Sequence, residues 1–163
     1  MKRITSVFLV LILAFSLVAC GSNEKQEALL QYLNEDIVEL VKIENELIES
    51  YSSVTGENYS SDMETYTEFV ENTVNLAREL NDEAVDLSLN ISDDEVLDVH
   101  RLYMNYSNKF LSTISIMISA LENQDATQIA EANEKLNEAN NLVLDYKREL
   151  NKLAEKYNIE IQD

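Results

Sequence analysis

From residue 22 to the end of the chain, one glycine, Gly56, is the only residue of its kind, and there is no proline. Turns and bulges draw on residues that reach positive φ or interrupt a hydrogen-bond ladder, whereas long helices need neither. A chain this poor in both has few places to change direction. The apolar spacing says what lies between them.

Leu30, Leu33, Ile37, Leu40, Glu44, Leu47 and Tyr51 recur at alternating steps of three and four, which is one face of a helix. The pattern predicts a helix over about residues 23–52, broken by the stretch around Gly56. Met63, Tyr66, Val70, Thr73, Ala77, Leu80, Ala84 and Leu87 predict a second over 61–89, opened by a Ser61–Glu64 capping box. Val96, His100, Tyr103, Ser107, Phe110, Ile114, Met117 and Leu121 predict a third over 93–122, with Ser92–Glu95 as its box. Ile129, Ala132, Leu136, Ala139, Val143, Tyr146, Leu150, Leu153 and Tyr157 predict a fourth over 126–158, capped by Asp125. Residues 159–163 are expected to fray. Long helices joined by short turns make antiparallel neighbours, so the expected fold is all-α, an up-down-up-down four-helix bundle. An extended three-helix or spectrin-like arrangement is the alternative.

The N-terminus reads as an export signal. Lys2 and Arg3 precede the apolar run from Val7 to Ala19, about 13 residues against the roughly 20 that a membrane span needs. Cys20 follows and is the only cysteine, so it has no intrachain disulfide partner. The order Leu17-Val18-Ala19-Cys20, then Gly21, resembles the lipobox of bacterial lipoproteins, and the chain resembles small, functionally unassigned, all-helical lipoproteins of Gram-positive type. That resemblance covers about the first 23 residues. It implies a leader over 1–19, cleavage before Cys20, a diacylglyceryl group on its sulfur, and a tether over 20–23. The bundle over 24–158 would then sit on the extracytoplasmic face of the cell membrane. The two-three turn and the C-terminus would be membrane-proximal, and the loop at 52–60 with the turn at 122–126 would form the distal tip.

Charge narrows the partners. The formal net charge is -19, and loss of Lys2 and Arg3 with the leader takes it to -21. So acidic a surface repels phosphate backbones and anionic headgroups, which argues against nucleic acid and against a body lying on the bilayer. It keeps an exported protein soluble, or recruits cations or a basic partner.

Motifs for chemistry are sparse. A di-metal carboxylate bundle needs Glu-x-x-His twice; the single histidine, His100, has Leu97 three residues before it. There is no haem or zinc ligand set, no Gly-x-Ser-x-Gly elbow, no Gly-rich phosphate loop and no calcium loop. No catalytic residue, metal or cofactor is expected. Glu44 interrupts a leucine row. It lies at the edge of the apolar stripe, or it is buried with His100, Arg78 or Lys109, or it lines an interior pocket with Thr73, His100 and Ser107 that binds a ligand or cation. In the third helix Leu111, Ile116 and Ile118 lie off the main row, so this stretch is deeply buried or offers a patch to a protein partner or a second copy of the chain. Tyr51 and Tyr59 flank the distal loop and suit either a binding tip or the closed end of a bundle. The function expected is a surface-anchored protein-interaction or accessory module.

Overall fold

The structure is a computed structural model and describes residues 13–15 and 24–162. Apart from one three-residue antiparallel pairing, the described residues fold as helices. α1 (Glu24–Gln31) passes through a π-helical turn (Tyr32–Asp36) into α2 (Val38–Ser53). A short 3-10 turn (Gly56–Asn58) leads to α3 (Asp62–Glu68), which passes through a second π-helical turn (Phe69–Thr73) into α4 (Val74–Ser88). α5 (Asp94–Asn123) and α6 (Ala126–Lys156) follow without interruption. β1 (Leu13–Phe15), which falls within the expected leader, pairs with β2 (Glu160–Gln162), Ala14 opposite Ile161.

The two π turns correct the predicted rows. Such a turn closes from residue i to i−5, as the bond from the Ile37 N–H to the Tyr32 carbonyl does at 3.1 Å, so it takes one residue more than an α turn. The side chains before it are thereby rotated by one position relative to those after it. After the first turn Ile37, Leu40, Glu44 and Leu47 are buried, as one row. Ahead of it Leu29 is buried and Leu30 only half-buried, and Tyr32 and Leu33, the first two residues of the turn, are both buried. From the last residue of the second turn onward Thr73, Ala77, Leu80 and Ala84 are buried. Thr65 ahead of it and Phe69 at its start are also buried, while Met63 is 73% and Val70 39% exposed.

The core is one cluster running through α1, α2, both π turns, α4, α5 and α6. Leu29, Leu47, Leu80 and Ile114 are fully buried, each worth about 1.5–3 kcal/mol relative to exposure. α5 packs along α6, α4 against α5, and α2 against α4. Ala77, Ala84, Ala132 and Ala139 are fully buried, and their short side chains let neighbouring backbones approach closely.

α3, α5 and α6 each start on a side-chain cap. Ser61 Oγ accepts from the Glu64 N–H at 3.2 Å, but the Glu64 carboxylate turns to Ser60 and does not complete the box. The cap of α5 is Asp93, not Ser92: its Oδ1 accepts from the N–H groups of Glu95 and Val96 at 2.9 and 3.1 Å. Asp125 caps α6 through the N–H groups of Thr127 and Gln128. At the close of α5, Gln124 is left-handed (φ 53°) and the Asp125 N–H bonds back to the Ala120 carbonyl. The close of α6 repeats this geometry with Asn158 (φ 53°) and an Ile159 N–H bond to the Ala154 carbonyl. Both are Schellman closures, and at α6 the residue just past the left-handed one is the apolar Ile159. Accordingly Ile159 is buried in the core, and the expected fraying does not begin at that residue.

The helix ends meet in two groups. At one end Glu95 of α5 receives Lys25 of α1, Lys156 of α6 and the Tyr157 hydroxyl, and Gln26 Nε2 donates to the Tyr157 carbonyl at 3.0 Å. At the other, the residues closing α2 meet α3, the last turns of α5 and the first turn of α6.

Candidate functional site

Two places concentrate chemistry: a buried polar seam at mid-length, and a cleft where the second group of ends meets.

The seam grows from residues in α2, α5, α6 and the first π turn. Glu44 is 1% exposed, and its carboxylate accepts from the Tyr103 hydroxyl at 3.0 Å. Burial raises its pKa to about 7, against the pull of hydrogen bonds from Tyr106 and Tyr103 and of the Lys147 ammonium. Burial also pushes the phenols of Tyr103 and Tyr106 well above their ordinary range, and the Glu44 charge adds to it. They therefore remain donors. The two rings meet edge-on at 5.6 Å, and Tyr103 meets Tyr146 the same way at 5.2 Å.

His100, fully buried, belongs to a neighbouring chain of bonds. Its Nε2 lies 2.7 Å from the Ala84 carbonyl, which only accepts, so Nε2 carries a proton. Burial holds the ring's pKa down, so the ring is neutral and Nδ1 is an acceptor. The Tyr32 hydroxyl, 3.0 Å away, donates to it, and the Tyr146 hydroxyl donates to Tyr32 at 3.2 Å. One carbonyl thus sets the direction of three hydrogen bonds. Glu44 and His100 share the same aromatic wall through Tyr103, but the carboxylate is partnered by tyrosines and not by His100, Arg78 or Lys109; Lys109 pairs with Glu138 at 2.8 Å.

Thr73 and Ser107 are buried but join other partners. Ser50 donates to the Glu68 carboxylate at 2.6 Å, so its oxygen accepts from Thr73 at 2.7 Å, tying α2 to the second π turn. Ser107 donates to the Met104 carbonyl at 3.0 Å. The four residues expected around one interior pocket therefore serve four separate hydrogen-bond networks. Tyr32 and Tyr106 had no place in the predicted rows. Tyr32 was hidden by the π turn, and Tyr106 by lying one step off the main face; its signal was its spacing of three from Tyr103.

The cleft has a volume of about 540 Å³. Val54, Phe69, Met117, Leu121 and Ile129 supply apolar walls, and both Tyr51 and Tyr59 line it. Tyr51 is held as part of the wall: it stacks on Phe69 at 5.5 Å and meets Phe110 edge-on at 5.8 Å. Tyr59 is 52% exposed at the mouth, its hydroxyl donating to Asp62 Oδ1 at 2.9 Å. The loop that carries them bonds to itself. Thr55 donates to the Tyr51 carbonyl at 2.8 Å, Asn58 to the Ser52 carbonyl at 2.9 Å, and Thr65 to the Val54 carbonyl at 3.0 Å. Gly56 turns the loop at φ 62°, a conformation that favours glycine.

The three off-row residues of α5 are half-buried. Leu111 and Ile118 pack against the core, and Ile116 is partly exposed beside them. Cys20 lies outside the described residues. Among the described residues no helix is long and apolar enough to cross a membrane. No protein family, curated protein or solved structure matches this chain.

Proposed function

We propose that the protein is a lipid-anchored, extracytoplasmic interaction module that presents the Tyr51–Tyr59 cleft to a protein partner. In this reading α1–α2, α3–α4, α5 and α6 act as four rods of one up-down-up-down bundle, with Cys20 acylated just before the first. The observation that carries it is the cleft: a preformed concavity with apolar and aromatic walls and an acidic rim, at the end away from Glu24. α5 alone, 30 residues, spans about 45 Å at 1.5 Å per residue, so an anchor before α1 would hold the cleft well clear of the bilayer. An acidic body standing off anionic headgroups supports the same orientation. An interior ligand site at Glu44 is the weaker reading, because tyrosine hydroxyls already occupy that carboxylate.

Two experiments test the reading. Cells expressing the full chain and fed an alkyne fatty acid should yield labelled protein that has lost its leader, and Cys20→Ala should abolish the label; an unlabelled wild type or a labelled variant refutes the anchor. A photo-crosslinking residue at position 59 should give a discrete adduct in cells, and one at exposed Ser92, by the opposite end, should not. Equal yields from both positions refute the docking role, and an adduct of two identical chains would identify the partner as a second copy.

A further inference from the structure

We infer that the cleft recognises an organic cation, an ammonium or guanidinium group carried on an apolar stem. This rests on the reading that the cleft is the working site, and it adds the chemistry of the occupant. The apolar walls, with Val54 and Phe69 buried and Met117, Leu121 and Ile129 half-buried, suit hydrocarbon and nothing charged. The mouth is different. Glu57 and Asp62 line it, and no lining residue carries a positive charge. Asp62 Oδ1 accepts a hydrogen bond from the Tyr59 hydroxyl, leaving Oδ2 for an incoming donor and fixing the Tyr59 ring at the opening. A phenol face beside two carboxylates attracts a cation by its quadrupole and by direct Coulomb attraction. An anion would meet both carboxylates and the field of a chain with net charge -19. The volume, about 540 Å³, lies within the range of small-ligand pockets, roughly 300–1,000 Å³.

A metal ion fits less well. Two carboxylates, one already accepting a phenol proton, fall short of an oxygen cage, and among the described residues no group of three or more acidic, histidine or cysteine side chains could hold one. The cleft separates its functions by exposure: the apolar walls are buried or half-buried, while Glu57, Tyr59 and Asp62 are exposed. An alkyl or aryl amine, or a lysine or arginine side chain next to an apolar residue in a peptide, has the same polarity in the same order.

The test titrates the full-length protein, followed by the NMR signals of Met117 and the tyrosine rings, with three ligands of one shape: phenethylammonium, 2-phenylethanol and phenylacetate. Phenethylammonium should saturate below about 10 mM, bind about fivefold or more tighter than the alcohol, and weaken with added salt. Phenylacetate should be the weakest. Glu57→Gln with Asp62→Asn should bring the cation and the alcohol to within about twofold while the helical circular dichroism is unchanged. Tyr59→Leu should weaken the cation more than the alcohol. Equal affinity for all three ligands overturns the inference, as does an absence of saturable shifts. A Phe-Lys dipeptide amide binding about tenfold tighter than phenethylammonium identifies a protein segment as the source, and equal binding identifies a free amine. An adduct from position 59 together with no preference for the cation sinks the charge argument alone; cation preference with no adduct sinks the docking role alone.

Discussion

Glu44→Gln isolates the cost of a buried carboxylate. The folded pKa of Glu44 is about 7 against an ordinary 4.5. Between those values the unfolded chain has released the proton while the folded chain retains it. Stability therefore falls as pH rises, by about 1.36 kcal/mol per unit, and levels off above pH 7. Over pH 5 to 9 the two titration curves, 4.5 and about 7, differ by about 2.5 kcal/mol. Glutamine keeps the shape and an oxygen for Tyr103 and Tyr106 but has no proton to lose. Urea unfolding of both proteins at 25 °C, followed by helical circular dichroism at several pH values in that window, gives the difference directly. The variant should gain about 2.5 kcal/mol relative to wild type between the two ends. Subtraction cancels His100, whose depressed pKa acts in the opposite sense: its contribution is present above 6.5 and is lost as pH falls. It cancels Glu95 too, which the Lys156 and Lys25 ammonium groups and the Tyr157 hydroxyl hold down at about 2. A difference that stays flat within about 0.5 kcal/mol, the ordinary size of a surface effect, would refute the claim that Glu44 is desolvated.

The single imidazole should titrate below 6.5 by NMR and show the Nε2–H tautomer; an Nδ1–H ring would reverse the hydrogen-bond chain drawn here. Asp93→Ala should cost about 1 kcal/mol and Ser92→Ala less than about 0.5 kcal/mol in chemical denaturation, and the reverse order would restore Ser92 as the cap. Gln124→Gly should stabilise by about 0.5–1 kcal/mol, because the left-handed backbone there penalises a Cβ; a loss of stability would contradict the closure described for α5.

Helical class was legible because it depends on spacing over many residues and on the scarcity of turn formers. Leu136, Ala139, Val143, Tyr146 and Leu150 fall on one buried face of α6, where nothing disturbs the period. Ahead of the second π turn an unbroken period puts Met63 inside where it is exposed, and at the first it leaves out Tyr32, which is buried beside Leu33 of the predicted row. A π turn leaves no period of its own in a sequence, since it is one residue added to a regular count. It is paid for by packing that becomes available only once the neighbouring helices are in place.

The candidate sites divide along the same line. Tyr51 and Tyr59 were legible at the tip because they flank the one glycine-bearing break, and a break in a helical chain lies at an end. That Met117, Leu121 and Ile129 complete a cleft around them depends on α5 and α6 returning to that end, a long-range matter that no local pattern records. Glu44 was visible as a flaw in a leucine row, and its burial and tyrosine partners were not. Sequence alone determined helical periodicity, the acidic balance and the isolation of Cys20, because each is a property of residue type and local spacing. Tertiary structure alone decided which hydroxyl meets which carboxylate, where the π turns fall and what surrounds the cleft, because those follow from how helices distant in the chain settle their rotation against one another.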